Sequence, residues 1–164
     1  MRKKQVVVIG GSDETQYNKD AYKIGKYIAQ KNCSLLSGGR GGVMKAVSKG
    51  AYDEGGVVVG ILPGDDFSEA NEYCTIVIPS GIGYARNSMN ILSADIIISL
   101  GGKAGTLSEL AYAWHYRKPV IACSFTGGWS KKIVAEPIDE RYESLFYTAN
   151  SLEEVYKYID KLLG

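Results

Sequence analysis

The segment from Gly101 to Glu109 combines residue types that can hold a phosphate group. It follows a predicted strand and opens a predicted helix. Gly102, Gly105 and Thr106 can supply backbone N–H groups and a hydroxyl, because glycine admits an anion close to the backbone and a helix N-terminus presents unpaired N–H groups. Glu109 lies three positions after Thr106, on the same helical face and over the same pocket. Alternatively, Glu109 only complements the helix dipole.

Two further glycine loops are predicted at the same edge of a sheet, because loops that follow parallel strands emerge at the strands' carboxyl ends, where such folds bind ligands. One glycine loop is a weak signal, since strand–turn–helix joints often need glycine for geometry alone. Three at one edge favour a binding site for a phosphorylated small molecule. The ligand-binding residues predicted in these loops are Gly10, Gly11, Ser12, Gly38, Gly39, Gly42, Met44, Gly101, Gly102, Lys103, Gly105 and Thr106.

Three polar side chains near the loops suit an anionic ligand. Arg86 can hold anionic or hydroxyl groups through a forked pair of hydrogen bonds, or it can pair with Glu109 for purely structural reasons. Lys103 can neutralise a phosphate or remain solvated, and we assign Asn87, beside Arg86, to the ligand-binding set. We predict no metal site, since the three cysteines are scattered and lack metal-ligand spacing.

The glycine patterns also exclude two common nucleotide-binding classes. The sequence contains no G-x-x-x-x-G-K-[ST], which excludes a P-loop NTPase. The first loop lacks G-x-G-x-x-G, and the second strand runs into glycine without an acidic residue for a ribose diol. An NAD-dependent dehydrogenase is therefore not expected.

The elements that must position these residues alternate between strands and helices. This order predicts an α/β fold: a single doubly wound, Rossmann-like parallel sheet with helices on both faces, formed by residues 1–164 as one domain. The predicted strands are Gln5–Gly10, Cys33–Ser37, Val57–Leu62, Cys74–Ile78, Ile96–Leu100, Pro119–Cys123 and Leu145–Tyr147. The predicted helices are Asn18–Lys31, Val43–Asp53, Ala85–Ala94, Thr106–Arg117 and one opening at Ser151, with Glu154 completing a capping box. We predict a loop with a short helical turn over Asp65–Tyr73 and an irregular segment over Thr126–Arg141.

Composition limits the partners. The chain has 164 residues, 45% of them hydrophobic, and a net charge of +1. No overall field attracts nucleic acid or a membrane surface, so neither is an expected partner. No stretch reaches transmembrane length, and three unpatterned cysteines suit a reducing compartment. We predict a cytoplasmic protein.

The segment Gly-Gly-x-x-Gly-Thr-x-x-Glu, preceded by an arginine-bearing helix, resembles the LONELY GUY or "lysine decarboxylase-like" superfamily, whose motif is P-G-G-x-G-T-x-x-E. The resemblance extends to Gly10-Gly11-Ser12, to Ser37–Met44 and to Pro119-Val120-Ile121. The branch containing molybdenum-cofactor carrier proteins is most similar, and it is distantly related to the Rossmann domain of DNA-processing protein A. Gly101, Lys103 and Asn87 stand where the enzymes have proline, glycine and usually lysine.

The resemblance implies two functions that the residues alone do not separate. In the characterised enzymes an arginine and the motif glutamate, here Arg86 and Glu109, catalyse hydrolysis of a nucleoside 5′-monophosphate to free base and ribose 5-phosphate. The alternative is a non-catalytic carrier that binds a nucleotide or a molybdopterin-type ligand and releases it unchanged. No required cofactor is implied, and nothing marks a lysine for pyridoxal chemistry, so a decarboxylase is not expected. Relatives in the superfamily imply a homo-oligomer, a dimer or larger, while DNA handling is disfavoured by the near-neutral charge.

Overall fold

A single seven-stranded parallel sheet forms the centre of the computed structural model, which describes residues 1–13, 15–141 and 143–164. The strand order is β4-β3-β2-β1-β5-β6-β7, and every neighbouring pair is parallel. The predicted fold class is therefore confirmed. The strands are β1 (Gln5–Gly10), β2 (Ser34–Ser37), β3 (Val58–Leu62), β4 (Ile76–Pro79), β5 (Ile96–Leu100), β6 (Val120–Cys123) and β7 (Phe146–Ala149).

Helices cover both faces of the sheet. One core cluster joins the sheet to α1, α2 and α6, and the other joins it to α3 and α4. The helices are α1 (Asn18–Gln30), α2 (Val43–Asp53), α3 (Arg86–Leu92), α4 (Ala104–His115), α5 (Gly128–Lys132) and α6 (Leu152–Leu163). Strand β5, next to the middle strand β1, is buried along its whole length, which explains why it is apolar except for Ser99, since parallel strands are covered on both faces.

The structure corrects the prediction for Thr126–Arg141, which is not wholly irregular. The five-residue helix α5 lies within it, preceded by a short 3₁₀ turn over Ser124–Thr126. A helix this short shows no hydrophobic period, so the sequence pattern could not reveal it. Helix α4 also begins two residues before the predicted Thr106, directly after the turn formed by Gly101 and Gly102.

The N-terminus of α6 carries a modified form of the predicted capping box. The Glu154 backbone N–H donates to the Ser151 hydroxyl at 3.2 Å, as predicted. The Glu154 carboxylate accepts from the backbone N–H of Asn150 at 2.6 Å, one residue earlier than in the standard arrangement. The first interaction satisfies a donor that the helix start leaves unpaired, and the second pairs the N–H of the residue before the N-cap.

None of the helices in the described ranges is long and apolar enough to cross a membrane.

Helices α1 and α2 approach each other closely at two glycines. A Cβ atom added at Gly25 would overlap the carbonyl oxygen of Val47, and one added at Gly50 would overlap that of Tyr22. Glycine at a helix interior ordinarily lowers helix stability relative to alanine, so these two positions hold glycine for the contact between backbones.

We expect Gly50→Ala to destabilise the protein by about 1–3 kcal/mol, although alanine favours a helix, because the added methyl group overpacks the contact between α1 and α2. Urea unfolding followed by circular dichroism measures the change. Lys23→Ala, on the exposed side of α1, is the control and should stay within about 0.5 kcal/mol of the parent. An equally stable Gly50→Ala variant would contradict the close contact.

Candidate functional site

The loops that follow β1, β2 and β5 lie side by side, because these three strands are neighbours at the centre of the sheet. The chain crosses over one face after β1 and over the other after β5, so a crevice opens between the carboxyl ends of these strands. A cavity of about 430 Å³ lies there. Its walls are the first loop, Arg40 and Met44 from the second loop and α2, the start of α3, and the start of α4.

Ten of the fifteen site residues predicted from the sequence line this cavity. The structure thus brings together loops that lie far apart in the sequence. The ten are Gly10, Gly11, Ser12, Met44, Arg86, Asn87, Lys103, Gly105, Thr106 and Glu109.

Three glycines of the second loop lie behind the cavity wall. A side chain at Gly38 would overlap the guanidinium of Arg86, so this glycine makes room for the arginine. Gly39 packs against the backbone of Gly60 at a positive φ of 74°. Gly42, with a φ of 58°, lets α2 start against the Gly11 carbonyl oxygen, to which Val43 donates at 3.2 Å.

Two glycines at the end of β5 are held by the protein itself. The Gly101 N–H, predicted to face the ligand, instead donates to the Thr126 hydroxyl at 2.7 Å. The Gly101 carbonyl accepts from Ser130, and the Gly102 carbonyl accepts from the Trp129 N–H at 3.1 Å. The N–H groups that α4 can offer to an anion are therefore those of its own first turn.

Three cavity-lining residues were not predicted: Asp13, Arg40 and Tyr84. Arg40 was detectable, because a basic residue between glycines of a phosphate-binding loop is suited to an anion. Asp13 pairs with Lys103, whose ammonium lies 2.9 Å from its carboxylate. Tyr84 is 91% exposed at the cavity mouth, and no sequence signal distinguishes it from an ordinary surface tyrosine.

Two ionisable side chains lie in the cavity wall: Glu109, which is buried, and Arg86, which is partly buried. Burial raises the pKa of Glu109 from 4.5 to about 7, although attraction to Arg86 and the amide of Asn90 both lower it. Burial likewise lowers the pKa of Arg86, which the negative charge of Glu109 partly offsets. Desolvation thus outweighs the mutual attraction of the two side chains at Glu109.

Asn87 links α3 to α4 beside this pair. Its amide donates to the Ser108 hydroxyl at 3.0 Å, and that hydroxyl donates to the Gly105 carbonyl at 2.7 Å. The chain of hydrogen bonds holds the start of α4 against the helix that carries Arg86.

The charged side chains give the cavity a preference for anions. Arg40, Arg86 and Lys103 are cationic, while Asp13 already pairs with Lys103 and burial favours the neutral form of Glu109. Arginine donors and the first turn of α4 suit phosphate oxygens. Among the residues that the structure describes, no three His, Cys, Asp or Glu side chains cluster to hold a metal ion.

The buried carboxyl of Glu109 should make the protein less stable as the pH rises. The folded protein keeps a proton on Glu109 between pH 4.5 and about 7 that the unfolded chain releases, so stability falls across this range by up to about 3 kcal/mol. Glu109→Gln remains neutral and should lack this part of the decline. Urea unfolding of both proteins at about pH 5 and about pH 8 measures the difference. Parallel declines in the two proteins would refute the assignment.

Comparison with known proteins identifies relatives over nearly the whole chain. The model of the SLOG cluster4 family matches residues 3–156. An uncharacterized protein of Archaeoglobus fulgidus is 44% identical over 124 residues, which are 74% of this chain and 81% of that protein.

Two proteins of known structure that are named for binding or carrying molybdenum cofactor are similar in sequence and in fold. The molybdenum cofactor binding protein from Rippkaea orientalis is 34% identical with a TM-score of 0.89, covering 100% of this chain and 99% of that one. The molybdenum cofactor carrier protein from Chlamydomonas reinhardtii is 31% identical with a TM-score of 0.85, covering 99% of each chain.

The suspected relation to DNA-processing protein A holds at the level of the fold. The Helicobacter pylori protein is 16% identical with a TM-score of 0.73, and the match covers 96% of this chain and 80% of that one. The family model spans the glycine loops and both helices that line the cavity, and the predicted resemblance is confirmed. The chain belongs to the SLOG cluster4 family.

Proposed function

We propose that the protein binds a phosphorylated, molybdopterin-type ligand in the cavity at the carboxyl ends of β1 and β5 and releases it unchanged. The observation that carries this proposal is that Arg40, Arg86 and Lys103 line one cavity together with the first turn of α4. Guanidinium forks, an ammonium and unpaired helix N–H groups together form an anion site. The two relatives named for binding or carrying molybdenum cofactor, at 34% and 31% identity, support the choice of ligand.

The same cavity also supports a second candidate, hydrolysis of a nucleoside 5′-monophosphate to free base and ribose 5-phosphate. The observation that favours it is a buried carboxyl with a pKa of about 7, placed in the cavity wall with Arg86. A group with this pKa can give or take a proton at neutral pH. The carrier needs the same two residues only to hold its ligand, so product formation separates the two functions.

We expect purified protein to bind molybdenum cofactor released from a denatured molybdoenzyme, and to leave AMP intact. Arg86→Lys keeps the charge but removes the fork, so binding should weaken about 10–100-fold. Arg117→Lys is the matched control, because Arg117 follows the C-terminal end of α4, does not line the cavity and donates to the Glu143 carbonyl. Fluorescence titration measures cofactor binding, and chromatography detects free adenine.

Adenine production that Glu109→Gln abolishes would overturn the carrier proposal in favour of the hydrolase. Equal affinity in the Arg86→Lys and Arg117→Lys proteins would show that the ligand binds elsewhere.

Self-association is also part of the proposal, and the partner is a second copy of this chain. The sheet face of β3 and β4, on the side of α3, exposes Ile76 (48%) and Ile78 (41%) at an apolar hollow of about 380 Å³. We call this surface the open sheet face. Parallel strands are ordinarily covered on both faces. Its central side chains carry no charge. The charged residues Arg2, which is paired with Asp95 at 2.7 Å, and Lys3 lie at its margin, so the middle of a contact between two copies is apolar.

We expect Ile78→Lys to lower the apparent mass in light scattering to that of a monomer, because a charge placed in a buried apolar interface is strongly unfavourable. Ile138→Lys is the control, since Ile138 is equally exposed at 39% but lies outside the open sheet face. An unchanged mass for Ile78→Lys, or a monomeric parent, would count against this interface.

We also propose the cytoplasmic location predicted above, which the three free cysteines support.

A further inference from the structure

Asn90 is a completely buried amide beside the cavity wall. It lies one helical turn after Arg86 on α3, with 0% of its surface exposed. Within residues 1–13, 15–141 and 143–164, neither its Nδ2 nor its Oδ1 completes a hydrogen bond. Buried amides are almost always paired, so an unpaired one needs an explanation.

The neighbour that gives Asn90 a role is the carboxyl of Glu109. The amide lies close enough to this carboxyl to lower its pKa, although the geometry falls short of a hydrogen bond. Asn90 has no exposed surface and Glu109 lines the cavity, so Asn90 acts on a ligand only through Glu109.

The two chemical forms of Glu109 need opposite partners. An ionised carboxylate only accepts hydrogen bonds, whereas a protonated carboxyl also donates one. An asparagine side chain offers both a donor and an acceptor, and its terminal torsion is broad and roughly two-fold, so a half-turn exchanges them. Asn90 is free to make this turn because no other group holds either end of its amide in the described structure.

Two other groups of the cavity, Arg86 and Asp13, keep their charge near neutral pH. Arg86 stays protonated, because arginine keeps its proton in proteins. A hydrogen bond from Lys103 holds the pKa of Asp13 below its ordinary value. The charge that changes close to pH 7 is therefore that of Glu109, next to Asn90.

We propose that Asn90 is a positioning residue whose amide turns to follow the protonation state of Glu109, so that the carboxyl keeps its place in the cavity wall in both forms. When Glu109 is ionised, the Asn90 NH₂ group donates to it. When Glu109 is protonated, the Asn90 carbonyl accepts its O–H. The wall thus presents either an acceptor or a neutral acid to a ligand without repacking of α3 against α4.

The test compares Asn90→Thr with Asn90→Val in the ligand-free protein. The two side chains have nearly the same shape, but threonine keeps a hydroxyl that donates and accepts, whereas valine keeps neither. Carbon-13 NMR follows the Glu109 carboxyl through a pH titration, with the signal assigned by its loss in Glu109→Gln. We expect valine to raise the protonated-to-ionised ratio at a given pH about tenfold over the parent, and threonine to restore most of the parent's value. The Asn90 side-chain amide signals of the parent should shift with the same midpoint.

Identical titrations for the threonine and valine variants would overturn the proposal, as would Asn90 amide signals that ignore the Glu109 midpoint. If valine prevents folding, Asn90→Ser against Asn90→Ala repeats the comparison with smaller side chains. Ser48→Ala is the control, because Ser48 is also fully buried with an unpaired side-chain oxygen but lies on α2. Its Glu109 titration should match the parent. The titration contains no ligand, so its outcome is independent of whether the cavity binds molybdenum cofactor.

Discussion

The backbone anchor at the end of β5 fixes the point from which the site-bearing helix departs. The Gly101 N–H donates to the Thr126 hydroxyl, and the Gly101 carbonyl accepts from the Ser130 hydroxyl. Both partners are buried. Gly101 and Gly102 have positive φ values of 53° and 101°, a conformation that glycine adopts without strain. These bonds satisfy buried backbone groups and set the start of α4, which in turn places Thr106 and Glu109 at the cavity. The site therefore depends on a segment, 124–130, that does not touch it.

The electrostatic character of the cavity follows from burial more than from pairing. At Glu109 the loss of hydration outweighs the attraction of Arg86 and favours the neutral acid. The arginine has no such option, because guanidinium keeps its proton. A wall built from one group that can lose its charge and others that cannot presents a positive surface. An anionic ligand is the natural counterpart, with Lys103 and Arg40 at the rim.

The sequence predicted the parts of this fold that rest on local patterns. The bounds of β1, β5 and α2 are those expected, because short apolar runs and a 3.6-residue period identify buried strands and amphipathic helices. The gathering of three glycine loops followed from parallel topology alone. The sequence does not distinguish glycines that line the cavity, such as Gly105, from glycines that leave space for a neighbouring side chain, such as Gly38 beside Arg86. That distinction depends on which backbones meet in space.

The missed groups share a similar cause. Asn90 lies in a predicted helix with an apolar inner face, and the sequence pattern predicts that an asparagine in such a helix is exposed. In the structure it is completely buried where α3 packs on α4. Arg40 and Tyr84 lie in segments that connect strands to helices, and no hydrophobic period in the sequence predicts where the side chains of such segments point. Burial of polar side chains and the aim of loops are tertiary properties, and the largest departures from expectation fall there.

The pairing of β1 with β5 has a consequence for how the chain folds. Val6 pairs with Ile96, so the two central strands come from opposite ends of the first hundred residues. During synthesis β1 is made before β5, so the apolar side chains of β1 stay without this neighbouring strand until β5 has been made and has paired with it. Contacts of such long range slow folding, because the entropy of closing the loop is lost before the contacts form. The ligand cavity lies at this same junction, so it is complete only once the strands that are farthest apart in the sequence have paired.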